Sequence, residues 1–181
     1  MRWVCANTIE HRRRAFLQST IGQFTRWLDS AFLGHHTTAL YNSLDRESAA
    51  ILAQPRTGDG RLNEYLYRIS QRDSDLCAWG IEPESVSHFL IRCTRWSEQR
   101  FTLIEKIGPS YRSVSLMLGG KPEGISVTGE DDTKVWKSDI KAVKAVIAFA
   151  SETGGPRTMT AERNSLMGRT FVWSQTKLVY I

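Results

Sequence analysis

Apolar residues along this chain recur mostly at intervals of three and four, which predicts helices rather than strands. Leu17, Ile21, Phe24, Leu28 and Ala31 place one amphipathic helix over 15–33, with Gly34 as its stop. Leu40, Leu44, Ile51 and Leu52 predict a second over about 37–52, ended by Pro55 and the Gly58-Asp59-Gly60 turn. Leu62, Tyr65, Leu66 and Ile69 share one side of a short third helix over 62–70. A turn carrying Cys77 and Gly80 follows. Pro83 fits the first turn of a helix that continues through Val86, His88, Phe89 and Leu90. Thr94 suits the cap of the next helix, which runs to Ile107 and stops at Gly108-Pro109. Residues 108–133, richer in Gly, Ser and Asp, read as loop. Ser138 is placed to cap a last helix whose Ile140, Val143, Ile147 and Ala150 form one face, closed by Gly154-Gly155-Pro156. Residues 157–181 have no period until the strand-like Thr170-Phe171-Val172-Trp173. The pattern predicts a mainly α fold: a small helical domain with a helix–turn–helix-like core at 62–107 and a last packed helix at 138–153. Its ends are expected to be poorly ordered.

Length and charge narrow the classes. A chain of 181 residues fits one domain and can bury a core without disulfides. A net charge of +5 favours anionic partners, nucleic acid first. The three cysteines, Cys5, Cys77 and Cys93, are odd in number and irregular in spacing, unlike a secreted disulfide framework. No apolar run of signal-peptide length precedes Arg12, and no stretch approaches the ~20 residues that span a bilayer. The expectation is a reduced, intracellular chain in nucleus or cytoplasm, with no membrane partner and no small-molecule substrate.

The chemistry concentrates in Cys77-x-Trp79-Gly80, then His88, then Cys93. Zinc takes sulfur and imidazole ligands tetrahedrally, and a tight Gly turn beside a His-x4-Cys helix can supply three of them. A fourth would come from Asp73, Asp75, a water or elsewhere. The alternative is that both cysteines are buried as small apolar residues and His88 is a hydrogen-bonded, half-buried side chain. Two basic groups are candidates for phosphate contact: Arg12, Arg13 and Arg14, and the stripe Lys134, Lys137, Lys141 and Lys144. Either can equally be the solvated side of a helix. Trp79 and Trp96 can stack on bases or pack the turn as core aromatics. There is no nucleophile elbow, phosphate loop or His-Glu-x-x-His pair, and Asp131-Asp132 lies in a polar loop. No catalytic residue is assigned, and an enzyme is not expected.

An ordered set of segments resembles a known family. LYNSLDRESAAILAQPRTGDGRLNEYLYRIS, DSDLCAWG, ESVSHFLIRCTRWSEQR, LMLGGK, DDTKVW and KAVIAFASETG are similar, in that order, to the region after the RNase H domain in fungal LINE-type (non-LTR) retrotransposon reverse transcriptases. The resemblance runs from about Trp27 to Gly155. In that family the region carries Cys-x-Cys-Gly followed by His-x4-Cys, a zinc-knuckle-like pattern. Cys77, His88 and Cys93 match it; Trp79 replaces its second cysteine, and Asp59 replaces the histidine of its Arg-Thr-Gly-His. The polymerase and RNase H signatures of the family are missing. The resemblance implies three segments: a basic N-terminal part at 1–26 outside it, a helical retrotransposon-derived domain at 27–155, and a tail at 156–181. It also implies a non-catalytic module that sits on RNA or DNA, with zinc as the one possible cofactor. The alternatives are a domesticated protein-interaction factor, such as a signal-less fungal effector acting in host cells, and a degenerate reading frame without selected function.

Overall fold

A computed structural model of the chain describes residues 8, 11, 14–16, 18–20, 22–31, 34–124 and 136–154. Helices account for its regular structure among these residues: α1 (Gln23–Leu28), α2 (His35–Asn42), α3 (Arg46–Thr57), α4 (Asn63–Arg68), a π turn (His88–Arg92), a 3-10 turn (Thr94–Trp96), α5 (Ser97–Ile107), a second 3-10 turn (Gly108–Ser110), α6 (Val114–Met117) and α7 (Ile140–Thr153). One isolated antiparallel bridge pairs Leu76 with Pro83. The mainly α expectation holds. The strand-like 170–173 segment lies outside the described residues.

The boundaries differ from those expected, each for a local reason. Gly22, at φ 73°, breaks the helix expected over 15–33, so α1 is only its second part. Gly34 does not stop that helix; it is the N-cap of α2. The segment over 37–52 is two helices. Asp45 starts a new one by accepting the Ser48 N–H at 2.9 Å and the Ser48 hydroxyl at 2.8 Å. Pro55 is inside α3, which runs on to Gly58, where φ 76° ends it. Pro83 enters the bridge to Leu76 instead of opening a helix. Thr94 lies within a 3-10 turn and caps nothing. The expected loop at 108–133 contains α6, whose Val114, Met117 and following Leu118 are buried at helical spacing. Asp139, not Ser138, caps α7 by accepting the Ala142 N–H at 3.0 Å; the Ser138 hydroxyl donates to the Gly119 carbonyl at 2.6 Å.

The core is not the expected helix–turn–helix at 62–107. It centres on α7, which packs chiefly against α5 and α3. Ala142, Val143, Ala145, Val146, Ile147, Phe149 and Ala150 are all buried. Small alanines among the β-branched residues let α7 sit close to its neighbours over a wider face than the four expected positions. α4 contributes no buried residue of its own. Phe89 from the π turn meets Phe149 with ring centroids 5.2 Å apart, which fastens the Cys/His region to α7.

A polar knot ties the N-terminal helices together. The wholly buried Asp29 carboxylate accepts from His36 Nε2 at 2.8 Å, Arg56 Nη2 at 2.8 Å, and the N–H groups of Ala31 at 3.2 Å and Lys121 at 3.1 Å. Arg56 also donates to the Leu118 carbonyl. Gly120 lies so close to α1 that a Cβ there would be 2.4 Å from the Leu28 carbonyl oxygen. Removing the carboxylate strands a buried guanidinium, which typically costs about 3–5 kcal/mol. Asp29→Ala is therefore expected to lose that much stability in urea unfolding, against about 1 kcal/mol for the N-cap change Asp139→Ala. Equal small losses would mean that the knot is not what holds these helices.

Candidate metal centre

The site begins with a turn that aims backbone N–H groups at a sulfur. The Gly80 N–H donates to the Cys77 carbonyl at 2.8 Å, and the Cys77 N–H to the Glu82 carbonyl at 2.9 Å. Gly80 takes φ 69°, a conformation glycine adopts without steric cost. Burial pushes the Cys77 thiol up, but the N–H groups of Ile81, Glu82 and Trp79, with the His88 ring, outweigh it and bring the pKa down from 9.0 to about 7. The Leu76–Pro83 bridge closes the base of this turn.

The other two donors come from the π turn. In an α-helix, residues five apart point about 140° away from each other, given 3.6 residues per turn. The wider turn is closed by the Cys93 N–H donating to the His88 carbonyl at 2.8 Å, and it returns Cys93 to the side of His88. Arg100, buried in α5, holds this geometry. Its guanidinium donates to the carbonyls of Leu90 at 3.0 Å, Phe89 at 3.2 Å and Cys93 at 2.6 Å. Burial lowers the Arg100 pKa from its ordinary value, and burial raises that of the Cys93 thiol.

Cys77, His88 and Cys93 are all buried, and one ligand atom from each lies within 4.8 Å of the others. His88 Nδ1 hydrogen-bonds Glu82 Oε2 at 3.1 Å, and the same oxygen accepts from Arg92 Nε at 3.0 Å. These bonds hold the Glu82 carboxyl below its ordinary pKa, His88 first and Arg92 second. His88 Nε2 is buried without a hydrogen-bond partner. A buried imidazole nitrogen left bare, with its other nitrogen fixed by a carboxylate, is the arrangement found around metal-binding histidines. Two thiolates on tetrahedral zinc stand about 3.8 Å apart, given Zn–S bonds of ~2.3 Å, so donors no more than 4.8 Å apart are near the spacing a bound ion needs. The residues present fit a metal ion through three donors. Among the described residues neither Asp73 nor Asp75 joins them.

The remaining candidates fall elsewhere. Trp79 is 64% exposed: the turn points Cys77 inward and position 79 outward, so it is not a core aromatic. Trp96 does pack against the core. Arg14, Lys137, Lys141 and Lys144 are exposed, while Arg12, Arg13 and Lys134 lie outside the described residues. The Asp131-Asp132 pair is outside them too. Arg100 was not anticipated. Its signal is its place between Trp96, Leu103 and Ile107 on the apolar side of α5, where a charge must find buried acceptors. Among the described residues no helix is long and apolar enough to cross a membrane.

For the metal-free protein carrying Cys5→Ser, which leaves only the two thiols of the site, thiolate absorbance is expected to rise in two separated steps, the Cys77 step centred near pH 7 and Cys93 well above it. Because the folded Cys77 value lies below the ordinary one, its contribution to stability is complete above about pH 9 and is lost as pH falls through about 7. A single step near the ordinary thiol range would show that the turn does not hold a thiolate.

The chain is 34% identical over 80 residues to a retrovirus-related Pol polyprotein from type-1 retrotransposable element R1 4 of Nasonia vitripennis. The match covers 43% of this chain and 20% of that polyprotein. No family model and no solved structure matches the chain. Part of the chain is thus related to a retrotransposon Pol polyprotein, and it carries a metal-binding-like Cys/His turn.

Proposed function

We propose that this chain is a non-catalytic, nucleic-acid-associated module derived from the region after the RNase H domain of a LINE-type retrotransposon reverse transcriptase. The observation that carries the reading is the convergence of Cys77, His88 and Cys93 on one buried point, with His88 Nε2 bare. These are the positions that match the knuckle-like pattern of the resembling family, and the similarity to an R1 Pol polyprotein supports the same origin. A metal ion bound there would cross-link the Cys77 turn to the π turn, fixing a surface instead of activating a substrate. Cys77 and Cys93 would bind as thiolates and His88 through Nε2, with Glu82 orienting the ring. The basic character of the chain supplies the attraction to phosphate.

A second reading is favoured by one observation. Trp79, Ile81 and Leu76 surround the turn and are 64%, 65% and 38% exposed. Apolar side chains of that size grouped on a surface mark protein docking. On this reading the turn is retained as a scaffold for a protein-interaction factor, and Trp79 is its anchor.

Two experiments separate these readings. Binding of the purified chain to RNA and DNA across a salt series, with zinc measured on the same sample, is expected to give log K falling steeply with log salt, because phosphate contacts release counterions. A zinc-free, folded chain with no such binding overturns the module and leaves the docking reading. Trp79→Cys restores the resembling family's second cysteine, and is expected to slow zinc loss to a chelator. Cys77→Ala with His88→Ala is expected to abolish zinc retention. Unchanged zinc content in both variants would remove the metal centre from this turn.

A further inference from the structure

Beside the Cys/His turn the surface opens into a groove of about 1040 Å³. Its lining combines two kinds of side chain. Arg61, Arg72 and Arg95 supply positive charge, and Tyr65 and Trp96 supply aromatic faces. Leu62 and Phe89, both buried, give it an apolar floor. Two carboxylates also line it, and both are engaged: Asp59 pairs with Arg68 at 3.1 Å, and Glu84 accepts the Asn63 N–H at 3.1 Å.

The aromatic rings are already stacked against guanidinium groups. Arg95 lies over Trp96 at 4.5 Å from the ring centroid, and Arg68 lies over Tyr65 at 5.2 Å. An arginine held over a ring can offer its guanidinium face to a base, while its N–H edge can reach phosphate oxygens. Gln54 and Gln71 add side-chain amides, which pair with base edges. Thr153 and Gly154, at the C-terminus of α7, also line the groove. That helix end is rich in carbonyl acceptors, which suit base N–H groups and repel phosphate.

We infer that this groove binds a short stretch of single-stranded nucleic acid, a few nucleotides long, with phosphates along the N–H edges of the arginines and bases stacked on the guanidinium groups that lie over Tyr65 and Trp96. The inference rests on the nucleic-acid reading above and names the strand class and the place. A duplex fits poorly. Reading a duplex takes a protruding helix or ribbon that enters the major groove. Here α4 is six residues long and lines a concavity, and stacked bases inside a duplex have no free face to offer.

The test is fluorescence anisotropy with the full chain and three labelled probes: an oligouridylate, an oligothymidylate of the same length, and a blunt DNA duplex. Single strands of either sugar are expected to bind more tightly than the duplex. The double variant Arg72→Ala, Arg95→Ala changes two exposed residues and is expected to reduce the salt slope by about 1.4, at ~0.7 per phosphate contact. Tyr65→Ala is expected to weaken single-strand binding about tenfold through lost stacking, at an unchanged melting temperature. A triple variant of Lys137, Lys141 and Lys144 to Ala serves as the contrast. Loss of binding in that variant, with the groove variants at parental affinity, overturns the groove and leaves the nucleic-acid reading standing. Preference for the duplex does the same. No binding of the parental chain to any probe overturns both.

Discussion

The Asp29 carboxylate is the constraint on which the arrangement of the N-terminal half depends. It is wholly buried, and its partners come from three separate places: His36 in α2, Arg56 in α3, and the Lys121 backbone beyond α6. A charge with that much desolvation behind it tolerates few geometries, so the helices that carry its donors are fixed relative to one another. The consequence spreads through Gly119 and Gly120. The segment from Ser115 to Lys121 runs along the end of α1, where the Ser115 hydroxyl donates to the Leu28 carbonyl and the Ser30 N–H to the Lys121 carbonyl at 2.9 Å. A side chain at either glycine would meet Leu40 or the Leu28 carbonyl. Apolar burial alone would hold these helices together but would not choose this register, because dispersion and hydrophobic contact are not directional.

The C-terminal half uses the same device for a different purpose. Arg100 is a buried guanidinium whose acceptors are backbone carbonyls at and just after the π turn. Carbonyls around a π turn and the following 3-10 turn lack regular helical partners, and unsatisfied buried carbonyls are costly. By satisfying them from α5, Arg100 makes an otherwise rare backbone affordable, and that backbone sets Cys93 beside His88. The Phe89–Phe149 contact then ties the turn to α7. The donor set is thereby built on elements held by hydrogen bonds and packing of their own.

Helix existence was legible wherever apolar positions recurred over two or more turns, as in α3, α5 and α7. The boundaries were less so, because they hang on which of two adjacent polar residues finds an N–H group. Asp139 took the cap of α7 because Ser138 was drawn to the Gly119 carbonyl, a partner far away in sequence. The centre of the core was misjudged for a related reason. The periodicity of 62–70 is real, but Tyr67 and Ile69 stay 52% and 43% exposed, because among the described residues no other helix packs extensively on α4. The trio of Cys77, His88 and Cys93 was readable from residue type and order; the π turn that unites it was not, since a five-residue spacing says nothing of the backbone between. Asp29, His36 and Arg56 left only a faint mark. His36 stands four residues before Leu40, and Arg56 four after Leu52, so both lie on buried helix sides where a charge demands a partner.

The turn around Cys77 does not depend on the side chain at position 79. The features that shape the turn are the N–H groups of residues 79, 81 and 82 around the Cys77 sulfur, the glycine at 80 and the Leu76–Pro83 bridge. All of these are backbone features, indifferent to the side chain at 79, which points into solvent. A change of side chain there strains nothing, and α3, α5 and α7 supply much of the buried core that the turn packs against through Phe89. A metal site in a small knuckle has no such reserve, because metal binding supplies most of its folding energy. Here the helical core carries that burden. Position 79 is thereby available for surface contact, and Cys77, His88 and Cys93 stay together whatever side chain stands there.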